Sequence, residues 1–125
     1  LHRPTFVPKL LEPRVMKASL AEAPEKFREA SPLDRAAADA PPFFVIHGDH
    51  GSLTPVGGAR RFVARLRAVS RQPVLYAELP GAQHAFDLFC TPRTARAVEA
   101  VRHFLEAIRF RRAEAVLAGE APTRA

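Results

Sequence analysis

Apolar and polar positions divide the chain into three stretches. Up to about Ala40, apolar residues are interrupted by Pro4, Pro8, Pro13, Pro24 and Pro32, so no long helix can run. Short helical pieces joined by turns are expected there. The best of them is Pro24 to Glu29, with proline at the first helical position. The pattern then changes at Phe43-Phe44-Val45-Ile46, a continuous apolar run between Pro41-Pro42 and His47-Gly48-Asp49. Apolarity without alternation predicts a strand covered on both faces, as in a parallel sheet. Phe62, Val63, Leu66 and Val69 recur at helical spacing after a start signal at Thr54-Pro55, and the arginines take the other side. Val74 to Leu79 reads as a second strand between Gln72-Pro73 and Pro80-Gly81. Thr91-Pro92 opens a second helix, with Val98, Val101, Leu105 and Ile108 as its apolar stripe. Beyond Arg109 no core face is evident, so a flexible basic tail is expected over 110–125.

The order strand, helix, strand, helix implies a crossover and a parallel strand pair. Two parallel strands leave both edges and part of both faces uncovered. The expected architecture is therefore α/β: the end of a larger parallel sheet, preceded by a proline-rich loop and short-helix segment over 1–40. The strand–helix unit itself spans 41–109. Further strands come from upstream chain or from a sheet-completing partner chain. The chain opens on Leu1 rather than Met, and the expectation is that a longer parent precedes it.

Composition narrows the function classes. The chain has 125 residues, enough for one domain, and at 47% hydrophobic and 26% charged it is not a disordered polymer. No apolar run reaches the length of a membrane span, and no signal peptide opens the sequence, so cytoplasmic location is the default expectation. A single cysteine, Cys90, can form neither an internal disulfide nor a cysteine-rich zinc site. The net charge of +6 raises nucleic-acid binding. The arginines are scattered among alanines, however, and Trp is absent, so a solvated basic face is the reading taken.

Chemistry concentrates in the loops that follow the two strands. The first runs from His47 to Val56 and the second from Pro80 to Phe86. Open parallel sheets bind ligands beyond the carboxyl ends of their strands, where a histidine paired with a carboxylate can act as a base. His47, Asp49 and His50 do not have a zinc spacing, and neither a metal nor a cofactor is expected. His103 reads as a surface residue of the second helix. Cys90 reads as an incidental thiol, and Phe86, Leu88 and Phe89 as packing or an acyl-pocket lining.

The stretch Pro41 to Val56 resembles the α/β-hydrolase esterases and lipases of the hormone-sensitive-lipase-like group, especially actinobacterial ones. Their pattern is roughly Pro-Pro-x-x-x-x-His-Gly-x-x-Asp-x-Leu-x-Pro-Val. Leu79-Pro80-Gly81-Ala82-Gln83-His84-Ala85-Phe86 is similar to the loop that carries their catalytic histidine. Met16 to Glu22 and Ala30 to Leu33 also look like their approach to the penultimate strand. The likeness covers roughly Val7 to Arg109. It implies a serine acyl-enzyme mechanism on a small ester or lipid substrate, with His84 as the base. The family's acid falls at Gly51 in this sequence, and Asp49 is the nearby carboxylate that could substitute for it. The nucleophile elbow Gly-x-Ser-x-Gly is absent from the 125 residues: Ser19, Ser31, Ser52 and Ser70 lack that frame. The oxyanion-loop motif His-Gly-Gly-Gly is absent as well. The expectation is a truncated or inactive homologue. The alternative is a non-catalytic interaction module or gene remnant.

Overall fold

The computed structural model describes residues 12–119. Residues 1–11 of the proline-rich segment and 120–125 of the expected tail lie outside the described residues. A short π-type turn at Glu12–Met16 is followed by helix α1, Pro24–Ala30, whose first turn carries Pro24 as expected. Met16 and α1 are tied together where Lys26 Nζ donates to the Met16 carbonyl. From Ser31 to Pro42 the chain makes only turns and extended backbone.

Strand β1, Phe43–Gly48, pairs in parallel with β2, Val74–Leu79. The register sets Phe43 opposite Val74 and Gly48 opposite Leu79. Helix α2, Val56–Val69, makes the crossover between them, and helix α3, Pro92–Leu117, follows β2. Side chains alternate along a strand, and two aromatic contacts show which helix covers which face. Phe43 meets Phe62 of α2 edge-on, with ring centroids 5.6 Å apart. Phe44, its neighbour on the other face, meets Phe104 of α3 at 5.5 Å. The layers are therefore α2, two-stranded sheet, α3.

The two faces are covered unequally. Val63 and Leu66 of α2 are 2% and 1% exposed and form most of the core. The stripe predicted for α3 is not buried: Val98 is 63% exposed and Leu105 53%, and only Ile108 of the set is half-buried. Helical periodicity establishes that α3 has an apolar side but not that two strands are wide enough to cover it. The helix also outruns its expected end at Arg109. Residues 110–117 are mostly Ala, Arg, Glu, Leu and other helix-compatible types. The helix stops at Ala118 and Gly119, whose φ of +76° is left-handed. No described helix is long and apolar enough to cross a membrane.

Candidate functional site

The loops after β1 and β2 are laced together at the carboxyl edge of the sheet. His50 N–H donates to the Ala82 carbonyl at 3.1 Å, and Asp49 N–H to the Leu79 carbonyl at 3.3 Å. This approach requires glycine at position 48, because a Cβ there would stand 2.3 Å from the Ala82 carbonyl oxygen. Gly81 turns the second loop with φ +68°.

Asp49 contributes its side chain to the same lacing. Its Oδ1 accepts the Gly81 N–H at 2.7 Å and pairs with His50 Nδ1 at 2.6 Å. The hydrogen bond from His50 holds the Asp49 carboxyl below its ordinary range; partial burial opposes this, and the Gly81 amide adds to it. Among the described residues, no hydrogen bond joins Asp49 to His84.

His84 is exposed at the end of the second loop, and its Nδ1 lies 3.0 Å from Thr54 Oγ1. The next residue, Ala85, is left-handed at φ +57°. That conformation costs an alanine about 1–2 kcal/mol and turns the chain sharply into the 3₁₀ turn Phe86–Leu88. Sequence reasoning missed Thr54 as a partner of His84. A threonine before proline signals a helix start, yet α2 begins with Pro55 in the cap position and no side-chain cap. The hydroxyl is thereby left for the neighbouring loop. Thr91 does act as the expected cap, accepting Thr94 N–H at 3.2 Å.

His84 lines an open groove of about 780 Å³, together with Ile46, Thr54, Phe86, Leu88 and Val98. Of the expected packing or pocket residues Phe86, Leu88 and Phe89, Phe86 is half-buried, whereas Leu88 and Phe89 are 77% and 71% exposed and contribute little packing. Gly51 lies across the first loop from Thr54. A Cβ there would meet the Thr54 carbonyl oxygen at 3.0 Å, the Gly48 carbonyl oxygen at 3.5 Å and His47 Cε1 at 3.6 Å, so a side chain requires the Thr54 backbone to give by a few tenths of an ångström, though no left-handed backbone. His47 Nδ1 is 2.8 Å from the Gly48 carbonyl. His103 and Cys90 are exposed. Among the described residues no three His, Cys, Asp or Glu side chains gather as a metal site would require.

A second polar cluster, unforeseen from the sequence, braces α2 against β2. Arg60 grips Glu78 with two hydrogen bonds, of 2.8 and 2.5 Å, and Tyr76 Oη donates to the same carboxylate at 2.7 Å. Arg60 first, and Tyr76 second, hold the Glu78 carboxyl down at about 2. Eighteen residues separate Arg60 from Glu78, so no local spacing announces the pair.

Residues 5–108 match the prolyl oligopeptidase family. The chain belongs to that family of α/β hydrolases. It is similar to two proteins of Mycobacterium tuberculosis (strain ATCC 25618 / H37Rv), the probable carboxylic ester hydrolase LipM and the esterase LipC. The identity with LipM is 51% over 102 residues, covering 82% of this chain and 23% of LipM. With LipC it is 48% over 104 residues, covering 83% and 26%. The chain spans about a quarter of the length of these relatives. Its fold is similar to that of a thermophilic esterase from the planctomycete Thermogutta terrifontis. There the TM-score is 0.62 at 19% identity, with 78% of this chain and 38% of the other covered. The α/β-hydrolase architecture and the esterase and lipase resemblance are as the sequence predicts.

Proposed function

We propose that this chain carries the histidine side of a carboxylic ester hydrolase site, with His84 as general base. The observation that carries the reading is His84 at the carboxyl edge of a parallel pair, bordering the groove, with Nδ1 engaged and no protein hydrogen bond to Nε2 among the described residues. In this reading a serine nucleophile attacks the ester carbonyl while Nε2 of His84 takes its proton, then returns it to the leaving alcohol. A second cycle with water releases the acid. The small ester or lipid substrate lies in the groove beside Phe86 and Leu88. Asp49 binds the two loops together rather than serving His84, since its carboxylate is committed to Gly81 and His50.

The 125 residues hold no Gly-x-Ser-x-Gly, and Gly51 stands at the acid position. By themselves they are accordingly a weak or inactive hydrolase, a truncated homologue whose serine comes from outside this sequence. Covering strands on the open side of the sheet come from the same source; a separate sheet-completing chain is the second reading, favoured by the two-stranded sheet. The boundaries 1–40, 41–109 and 110–125 are read as approach, core unit and trailing basic segment, with helix α3 continuing across the last boundary to Leu117.

The test joins this chain to the part of LipM that it does not cover and measures hydrolysis of short-chain p-nitrophenyl esters. Gly51→Asp is expected to raise turnover steeply, by up to on the order of ten-thousandfold, the scale of losing the acid's function in a triad. A folded chimera whose turnover ignores both Gly51→Asp and His84→Gln contradicts the proposal.

A further inference from the structure

His84 has one hydrogen-bonding partner among the described residues, the hydroxyl of Thr54, which comes from the other loop. Thr54 is available for this because α2 draws no cap from it. Pro55 occupies the cap position, and the first helical turn is closed by Gly58 N–H donating to the Pro55 carbonyl at 3.0 Å. The rigid ring of Pro55 and the start of α2 fix the backbone that presents the hydroxyl. Thr54 also lies beside the position without a side chain, since its carbonyl oxygen is the atom that a Cβ on Gly51 would touch first.

The chemistry of a hydroxyl differs from that of a carboxylate at this place. An ionised carboxylate only accepts, so it forces the proton onto Nδ1 and leaves the Nε2 lone pair free. A threonine hydroxyl both donates and accepts. It can accept from Nδ1–H, which leaves Nε2 a base. It can equally donate to an unprotonated Nδ1, which puts the ring proton on Nε2 and removes the base.

We infer that Thr54 is the positioning residue of His84, holding the ring by Nδ1 without fixing its tautomer. The inference deepens the reading of His84 as a base, because the fraction of rings able to take a proton from a nucleophile is then the fraction in which Thr54 accepts. Gly51 thereby leaves a histidine that is oriented but divided between two proton placements.

The ring nitrogens of protein labelled with ¹⁵N-histidine test this by NMR at a pH above the imidazole titration. The His84 signals are assigned by their loss in His84→Gln. The wild-type nitrogens are expected between the pyrrole-like and pyridine-like limits. Thr54→Val and Thr54→Ala should both loosen the ring's fast motion while leaving both tautomers populated. The fraction of rings held in the native orientation should fall about two- to tenfold, the range implied by the net worth of one hydrogen bond. Thr54→Ser should restore the order. Backbone amide spectra report whether the loop is otherwise unchanged. Ring mobility that stays the same in Thr54→Val and Thr54→Ala, or that Thr54→Ser fails to restore, or a wild-type ring locked in a single tautomer, overturns the inference. An inactive esterase chimera would count against His84 as a base and leave this measurement untouched, so the two failures are distinguishable.

Discussion

The two faces of the sheet are covered by helices of similar composition and unequal packing. Helix α2 buries Val63 and Leu66 and adds the Arg60–Glu78–Tyr76 cluster, so it is held by apolar area and by a geometrically fixed ion pair. Helix α3 is longer, 26 residues against 14, yet none of its side chains is fully buried. It meets the sheet through Phe104 on Phe44, and Val98, Val101 and Leu105 stay largely exposed. Length therefore contributes less here than the width of the surface that a helix rests on. A crossover helix lies across both of the strands it joins, whereas a trailing helix needs neighbours beyond them.

The contrast is broken most directly by truncating one leucine on each helix. Leu66→Ala should cost about 2–5 kcal/mol in urea unfolding, against under about 0.5 kcal/mol for the half-exposed Leu105→Ala. Equal losses would mean that α3 carries core which its exposure does not reveal. The next effect belongs to the knot between the loops. Gly48→Ala should destabilise by about 1–3 kcal/mol and disperse the His84 ring signals, because the new methyl collides with the Ala82 carbonyl. Removing the cap of α3 with Thr91→Ala should cost about 1 kcal/mol, seen as lost helicity and lowered stability. The smallest effect sharpens the α2 side. Glu78 titrates at about 2 in the folded chain against an ordinary 4.5. Its stabilisation is complete above about pH 4.5 and is lost as pH falls toward 2. Acid unfolding should be less steep in Glu78→Gln, and added salt should reduce the difference, since the pair is solvent-exposed.

The parts legible in the sequence are those that depend on local punctuation. Pro41-Pro42, Gln72-Pro73 and Pro80-Gly81 bracket the strands, and both strands form where those signals place them. Thr91-Pro92 starts α3 for the same reason. Contacts between segments distant in sequence were not legible. The Thr54 hydroxyl was available to cap its own helix or to reach a loop thirty residues on, and only the cap conformation of Pro55 decides which. Asp49 reads as a spare acid because it stands two residues from Gly51, and no local spacing announces its hydrogen bond to Gly81, thirty-two residues on. The full reach of α3 was hidden because helix-forming residues continue it without an apolar face.

The central claim is that the two loops form the histidine half of an ester-hydrolysing site. It is tested most directly by the LipM chimera carrying Gly51→Asp, assayed on a short-chain p-nitrophenyl ester with and without His84→Gln. The account predicts turnover that His84→Gln abolishes in a protein of unchanged stability. Turnover that survives the loss of His84 would contradict it.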